Sequence, residues 1–93
     1  MVKCKVEIFG LSDLPSGLEN VEIELEQGAD LSDLIAGLKK TIPTLEGRVI
    51  ITGENKLTRH YVFNINGRFH MNDSKIQIKS SDHIMLLTFP LGG

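Results

Sequence analysis

The stretch that most constrains the fold lies near the end of the chain, where Ile84-Met-Leu-Leu-Thr-Phe89 forms a nearly continuous apolar run of strand length. Leu and Met fall on both of its faces, so as a strand it is expected to be covered on both sides. That places it at the centre of a sheet rather than at an edge. Instead of turning into another element, the run meets Pro90, passes Leu91 and reaches Gly92 and Gly93. A core strand therefore feeds a short tail that is poor in side chains.

The amino terminus supplies a neighbour for that strand. Val2, Cys4, Val6 and Ile8 alternate with Lys3, Lys5 and Glu7, the period of two expected of a half-buried strand. Cys4 falls on the apolar stripe with no charged neighbour on that face to lower its pKa, so it reads as a core thiol rather than a nucleophile. Gly10 to Asn20, with Pro15 and Gly17, is turn chemistry. A second strand follows from Val21 to Leu25, with Val21, Ile23 and Leu25 facing in and Glu22, Glu24 and Glu26 facing out. This carboxylate row is a solvated strand face, since nothing in it sets one pKa against another as acid–base catalysis requires.

After Gly28 the period changes. Asp30 stands as a helix N-cap with Asp33 in the first turn, and Leu31, Leu34, Ile35, Leu38 and Ile42 recur at helical spacing. The expected element is one amphipathic helix from Asp30 to about Thr41, ended by Pro43. Gly37 inside it costs about 1 kcal/mol relative to Ala, which points to a close approach at that position. From Thr44 to Arg59 the pattern is least regular; Val49-Ile50-Ile51 fits either a short strand or a buried anchor for a long loop, with a turn at Gly53-Glu54-Asn55. Tyr61 to Ile65 reads as a strand with Tyr61, Phe63 and Ile65 on one face, Asn66-Gly67 as a tight hairpin turn, and Arg68-Phe69-His70 as the return. Ile76 and Ile78 give one more short apolar stretch, and Ser80-Ser81-Asp82 turns into the final strand.

Two hairpins thus straddle one helix, with first and last strands both well buried. The expected class is α+β: a mixed sheet with one main helix packed on one face and the terminal strands parallel neighbours, for which the β-grasp (ubiquitin-like) arrangement is the simplest solution. Residues 1–89 form a single domain in this reading, and 90–93 a flexible tail.

At 93 residues, 41% hydrophobic and 24% charged, the chain has the composition of one small globular domain. No apolar run approaches the length of a membrane span and no signal peptide is evident, so a cytoplasmic protein without membrane contact is expected. One cysteine and three scattered histidines give no metal-ligand spacing. Gly10, Gly17 and Gly28 form no phosphate-cradling motif, and no convergent set of catalytic side chains appears, so no bound cofactor and no enzyme activity of its own are expected. Residues 1–46 carry nine acids and four bases, whereas residues 47–93 carry three acids and six bases. The overall charge of −2 suits nucleic acid poorly, while separated charged faces would suit a protein partner.

The tail carries the chemistry. Pro90 to Gly93 reach on the order of 13 Å when extended, and glycines enter a slot too narrow for any Cβ. The carboxylate of Gly93, if it ends the chain, can be delivered into another protein's active site. There it can attack the α-phosphate of ATP to give an acyl-adenylate. Such a tail reads as a substrate.

The assembled pattern resembles the ubiquitin-like sulfur carriers of the MoaD/ThiS type, and MoaD-like members of the molybdopterin synthase small subunit family more closely. The likeness covers nearly the whole chain: the helix Asp30-Leu-Ser-Asp-Leu-Ile-Ala-Gly-Leu-Lys-Lys-Thr-Ile-Pro43, the hairpin Phe63-Asn-Ile-Asn-Gly-Arg68, and Ser81-Asp-His-Ile-Met-Leu-Leu-Thr-Phe-Pro-Leu-Gly-Gly93. The last of these is the specific part. It implies a ubiquitin-activating-type adenylyltransferase that consumes ATP at Gly93, conversion to a thiocarboxylate, and sulfur delivery to an acceptor resembling the molybdopterin synthase large subunit, whose active site the chain would help complete. In that cycle Gly92 and Gly93 fit the slot, Phe89, Pro90 and Leu91 bind and aim at the partner, and apolar residues of the sheet dock it. The alternatives are a modifier conjugated through Gly93 to target lysines, or a carrier for thiamin or tRNA thiolation. One departure is that the family's tail usually holds a proline pair and one more residue, so this one is shorter by about 3.4 Å of reach.

Overall fold

The computed structural model describes residues 1–9, 20–70 and 75–88. Period-two alternation becomes β1 (Val2–Ile8) and β2 (Asn20–Leu25), antiparallel and in register from Val2↔Leu25 to Glu7↔Asn20. Cys4, Val6, Ile8, Val21, Ile23 and Leu25 are all buried on one face, while Lys3, Lys5, Glu22 and Glu24 stand on the other. Of the expected turn Gly10 to Asn20, residues 10–19 lie outside the described residues, and Asn20 opens β2.

Helix α1 (Leu31–Thr41) begins where its chemistry predicts. Asp33 N–H donates to Asp30 Oδ1 at 3.0 Å and Asp30 N–H donates to Asp33 Oδ2 at 3.0 Å, so the pair satisfies two amide donors reciprocally. Leu31, Leu34, Ile35 and Leu38 are buried against the sheet, and Ile42, also buried, caps the carboxyl end. The close approach expected at Gly37 is present: a Cβ there would lie 2.7 Å from Ile23 Cγ2. Pro43–Leu45 follows as a short 3₁₀ turn.

The segment from Thr44 to Arg59 resolves in favour of a buried anchor. Val49 and Ile50 are fully buried, yet form no strand; isolated bridges join Glu46 to Ile50 and Ile50 to Leu57. Ile51 N–H donates to Lys56 O at 2.9 Å and Thr58 N–H to Val49 O at 2.8 Å, closing the loop on itself. The Ile76–Ile78 stretch is likewise no regular strand. Its main chain bonds the start of α1, with Leu31 N–H on Ile76 O and Ile78 N–H on Ala29 O, both at 2.9 Å.

The remaining strands are β3 (Tyr61–Ile65), β4 (Arg68–His70) and β5 (Ile84–Thr88). The five-stranded sheet has the order β2-β1-β5-β3-β4, with β5 parallel to β1 and antiparallel to β3. This mixed sheet with one helix across it is the β-grasp arrangement. Asn66 (φ 54°) and Gly67 (φ 88°) take the positive angles of the tight turn. Asn66 does more than turn the chain. Its side chain donates to Asp82 Oδ1 at 2.8 Å and accepts from His83 N–H at 2.8 Å, and its own N–H donates to His83 O at 2.9 Å, locking the hairpin to the start of β5.

One expectation fails. Among the described residues β5 is central but fully covered on one side only: Ile84 and Leu86 are completely buried in the core they share with α1, whereas Met85 and Leu87 on the opposite side are half-buried. Among the described residues a single main helix covers the sheet, and on the far side Met85 and Leu87 stay half-buried while Val62, the partner of Leu87, is buried. Among the described residues no helix is long and apolar enough to cross a membrane.

The fit between Gly37 and Ile23 gives a measurable outcome. Alanine favours a helix over glycine by about 1 kcal/mol, but overpacking costs about 1–3 kcal/mol. Gly37→Ala is expected to lower stability, seen as a reduced midpoint in urea with an unchanged slope. A stabilised variant would show that the helix can shift away from β2.

Candidate functional site: the open sheet face

The side chains expected to carry function at the tail, Phe89, Pro90, Leu91, Gly92 and Gly93, lie outside the described residues. What the structure positions is the platform before them. Strand alternation and register assign each residue of the uncovered face. Met85 of β5 stands between Glu7 of β1 and Asn64 of β3, and Asn64 pairs in turn with Phe69 of β4. One step nearer the tail, Leu87 pairs with Val62. On the other flank, Phe9 N–H donates to Leu86 O at 2.9 Å, continuing the β1–β5 ladder beyond Ile8 and placing Phe9 beside Leu87.

Phe9, Leu87, Val62, Met85 and Phe69 thus run obliquely across this face from β1 to β4, with Phe9 and Leu87 toward the tail end of β5, Met85 and Phe69 toward its start, and Val62 itself buried between them. Phe69 is 65% exposed and Phe9 45%, which a packed core would not tolerate for such large apolar side chains. Toward β2 the face becomes charged. Lys3 meets its cross-strand partner Glu24 at 3.8 Å, and His83 Nε2 lies 3.3 Å from Glu7 Oε1. The strand order also separates the unlike halves of the sequence, since β2 and β1 come from the acidic half and β5, β3 and β4 from the basic half. Sequence reasoning missed Phe9 and Phe69; the available signal was that each continues its strand's alternation on the polar side.

Cys4 sits where the alternation put it. It is fully buried, its thiol donates to Ile23 O at 3.5 Å, and burial pushes its pKa up, with Asp82 and Glu22 adding in the same direction. That is the setting of an unreactive core thiol. Among the described residues no group of His, Cys, Asp or Glu is arranged to hold a metal ion.

No family model and no curated protein matches the chain. Solved structures do. SAMP1 from Haloferax volcanii superposes with a TM-score of 0.78 at 21% identity, covering 98% of this chain and 99% of that one. A Pyrococcus furiosus protein described as molybdopterin converting factor, subunit 1, gives 0.74 at 26% identity, with 97% and 100% covered. The small archaeal modifier protein 1 (SAMP1) of Methanosarcina acetivorans gives 0.74 at 24% identity, with 100% and 98% covered. The structural neighbours are therefore small archaeal modifiers and a MoaD-type subunit, and the fold they share with this chain is the ubiquitin-like β-grasp.

Burial of the thiol predicts its behaviour. Alkylation of Cys4 should be slow in the native state and become fast when urea unfolds the chain. Because the folded-state pKa is raised, the thiol contributes stability that is complete below the unfolded value of about 8.5 and is lost as pH climbs toward the folded value. Cys4→Ala should flatten that alkaline decline in urea melts.

Proposed function

We propose that this chain is a carrier rather than a catalyst, and that the reacting group is the carboxylate of Gly93. One observation carries the reading. The strand that completes the core, β5, is also the one whose sequence continues after Thr88 as Phe89-Pro-Leu-Gly-Gly93, with exposed Phe9 beside its tail end and exposed Phe69 farther along the same face. A carboxylate oxygen of Gly93 attacks the α-phosphate of ATP on a ubiquitin-activating-type partner; pyrophosphate leaves and an acyl-adenylate remains. Hydrosulfide then adds to the acyl carbon and expels AMP, giving the thiocarboxylate; a persulfide donor gives an acyl disulfide instead, which a second thiol reduces to the thiocarboxylate, leaving the donor and that thiol as a disulfide. The patch of Phe9, Leu87, Met85 and Phe69 docks the partner while the glycines enter its active site. The protein described as molybdopterin converting factor, subunit 1 supports a sulfur carrier in molybdopterin formation. In that role the tail completes the active site of a large-subunit-like acceptor.

The SAMP1 likenesses favour a second reading, in which a target lysine amine displaces AMP and the chain becomes a protein modifier. The two share every step up to the adenylate and diverge at the nucleophile. The deciding experiment is the intact and tail-peptide mass of the protein from its native cells, with a search for lysines bearing its Gly-Gly remnant. One oxygen replaced by sulfur at Gly93 is the result expected of the carrier. Remnants on lysines without thiocarboxylate would make it a modifier, and a plain tail without conjugates would overturn both.

Variants separate the tail from the patch. Adding one residue after Gly93 is expected to abolish adenylation while leaving the fold intact. Phe69→Glu with Leu87→Glu should weaken activation by about thirtyfold or more, the loss typical of removing an interface hot spot of about 2 kcal/mol, read as pyrophosphate release with the cognate activating enzyme.

A further inference from the structure

At the other end of β5 from the tail lies a second concavity, of about 560 Å³, lined by Ile65, Asn66, Arg68, His70, Ile76, Gln77, Lys79 and Asp82. Two walls form it. Arg68 and His70, two apart on β4, share the side chain direction of Ile65 and Phe63, while Gln77 and Lys79 come from the segment bonded to the start of α1. Ile65 is buried and Ile76 half-buried, giving an apolar floor beneath the charges.

Among the described residues the adjoining cleft, which shares Gln77 and Lys79, has that one side-chain cation and no carboxylate; what the β4 cleft adds is the Arg68 guanidinium. The cleft beside Gly28 is lined by Glu24, Glu26 and Asp33 and has no side-chain cation. The one at the β1–β2 face sets Glu7, Glu22 and Asp82 against Lys3, Lys5 and His83. Among the described residues the β4 cleft holds one carboxylate, Asp82, and it is already engaged: Oδ1 accepts from Asn66 Nδ2 and Oδ2 from Lys79 N–H, each at 2.8 Å. Neither the Arg68 guanidinium nor the Lys79 ammonium forms an ion pair among the described residues. A volume in the range of small-molecule sites, two exposed cations, Arg68 from β4 and Lys79 from the other wall, and an apolar floor together suit an anionic group attached to an organic body.

We propose that this cleft binds a small phosphate monoester, with Arg68 and Lys79 holding the phosphate from opposite walls and Ile65 and Ile76 under the organic part. The site is independent of the carrier reading. Tyr61↔Thr88 closes one end of the β3–β5 ladder and Ile65↔Ile84 the other, so the cleft lies at the end of β5 away from Thr88.

The test is a titration of the full-length protein followed by amide NMR, with AMP, inorganic phosphate and adenosine as separate probes. AMP is expected to give saturable shifts confined to Asn66–His70 and Gln77–Lys79, with a midpoint in the low millimolar range, and to bind at least about tenfold more tightly than either fragment. Arg68→Ala with Lys79→Ala, both exposed positions, should weaken AMP binding at least about tenfold with the rest of the spectrum unchanged. A variant extended beyond Gly93 should bind AMP as the natural chain does. Shifts that never saturate, that spread over lysines across the surface, or that survive loss of Arg68 and Lys79 would overturn the site. Phosphate binding as tightly as AMP would overturn the ester, and adenosine doing so would overturn the role of the phosphate.

Discussion

The structure depends on the parallel pairing of β1 with β5, Val6 on Ile84 and Ile8 on Leu86. These four side chains are almost completely buried, and each such aliphatic group contributes about 1.5–3 kcal/mol when removed from water. They come from opposite ends of the chain, so the contact forms only after a long loop has been closed. That entropy must be offset by the layer that follows: Leu34, Ile35 and Leu38 from above, Phe63 and Ile65 from the flank. Without β5 the sheet divides into two separate hairpins, β1–β2 and β3–β4, neither of which pairs with the other. Two-stranded hairpins are marginal on their own in water.

Much of this was legible from residue types alone, because the local signals agreed with the final packing. Alternation at Val2 to Ile8 and Val21 to Leu25, the Asp30–Asp33 box and the Asn66-Gly67 turn each have a backbone meaning that tertiary contacts did not alter. The misreading of β5 has a specific cause. An apolar residue on the second face of a strand looks the same whether a helix covers it or a partner does, and only the count of covering elements decides. Val49 and Ile50 were ambiguous for a related reason, since burial of a loop by two side chains leaves no periodicity. The reach of the Asn66 side chain to Asp82 and His83 spans a distance in sequence that no local pattern encodes. The Arg68 cleft was hidden in the same way, its walls meeting only through the fold.

A sheet with one cover carries a standing cost on its other face. Exposed Phe9 and Phe69 gain little from the fold itself and invite association. The chain limits that exposure by grouping charge beside it, with Lys3 against Glu24 and Glu7 against His83 on the β1–β2 flank. The result is a surface polarised across the strand order, apolar around β5 and β3 and ionic toward β2. Orientation of any partner on this face is therefore set by charge on one side only, which favours a single pose over its reverse.

The place of β5 in the topology also bears on how the protein is made. Synthesis runs from the amino terminus, and β1, β2 and α1 can collapse early, yet the slot between β1 and β3 stays vacant until Ile84–Thr88 leaves the ribosome. A nascent chain thus holds an unfilled groove with two exposed strand edges, and a truncated product keeps it permanently. Such products expose the apolar core to chaperones and proteases. The core is therefore complete only once β5 has been made and has entered that groove, and the fold itself reports whether this strand is present.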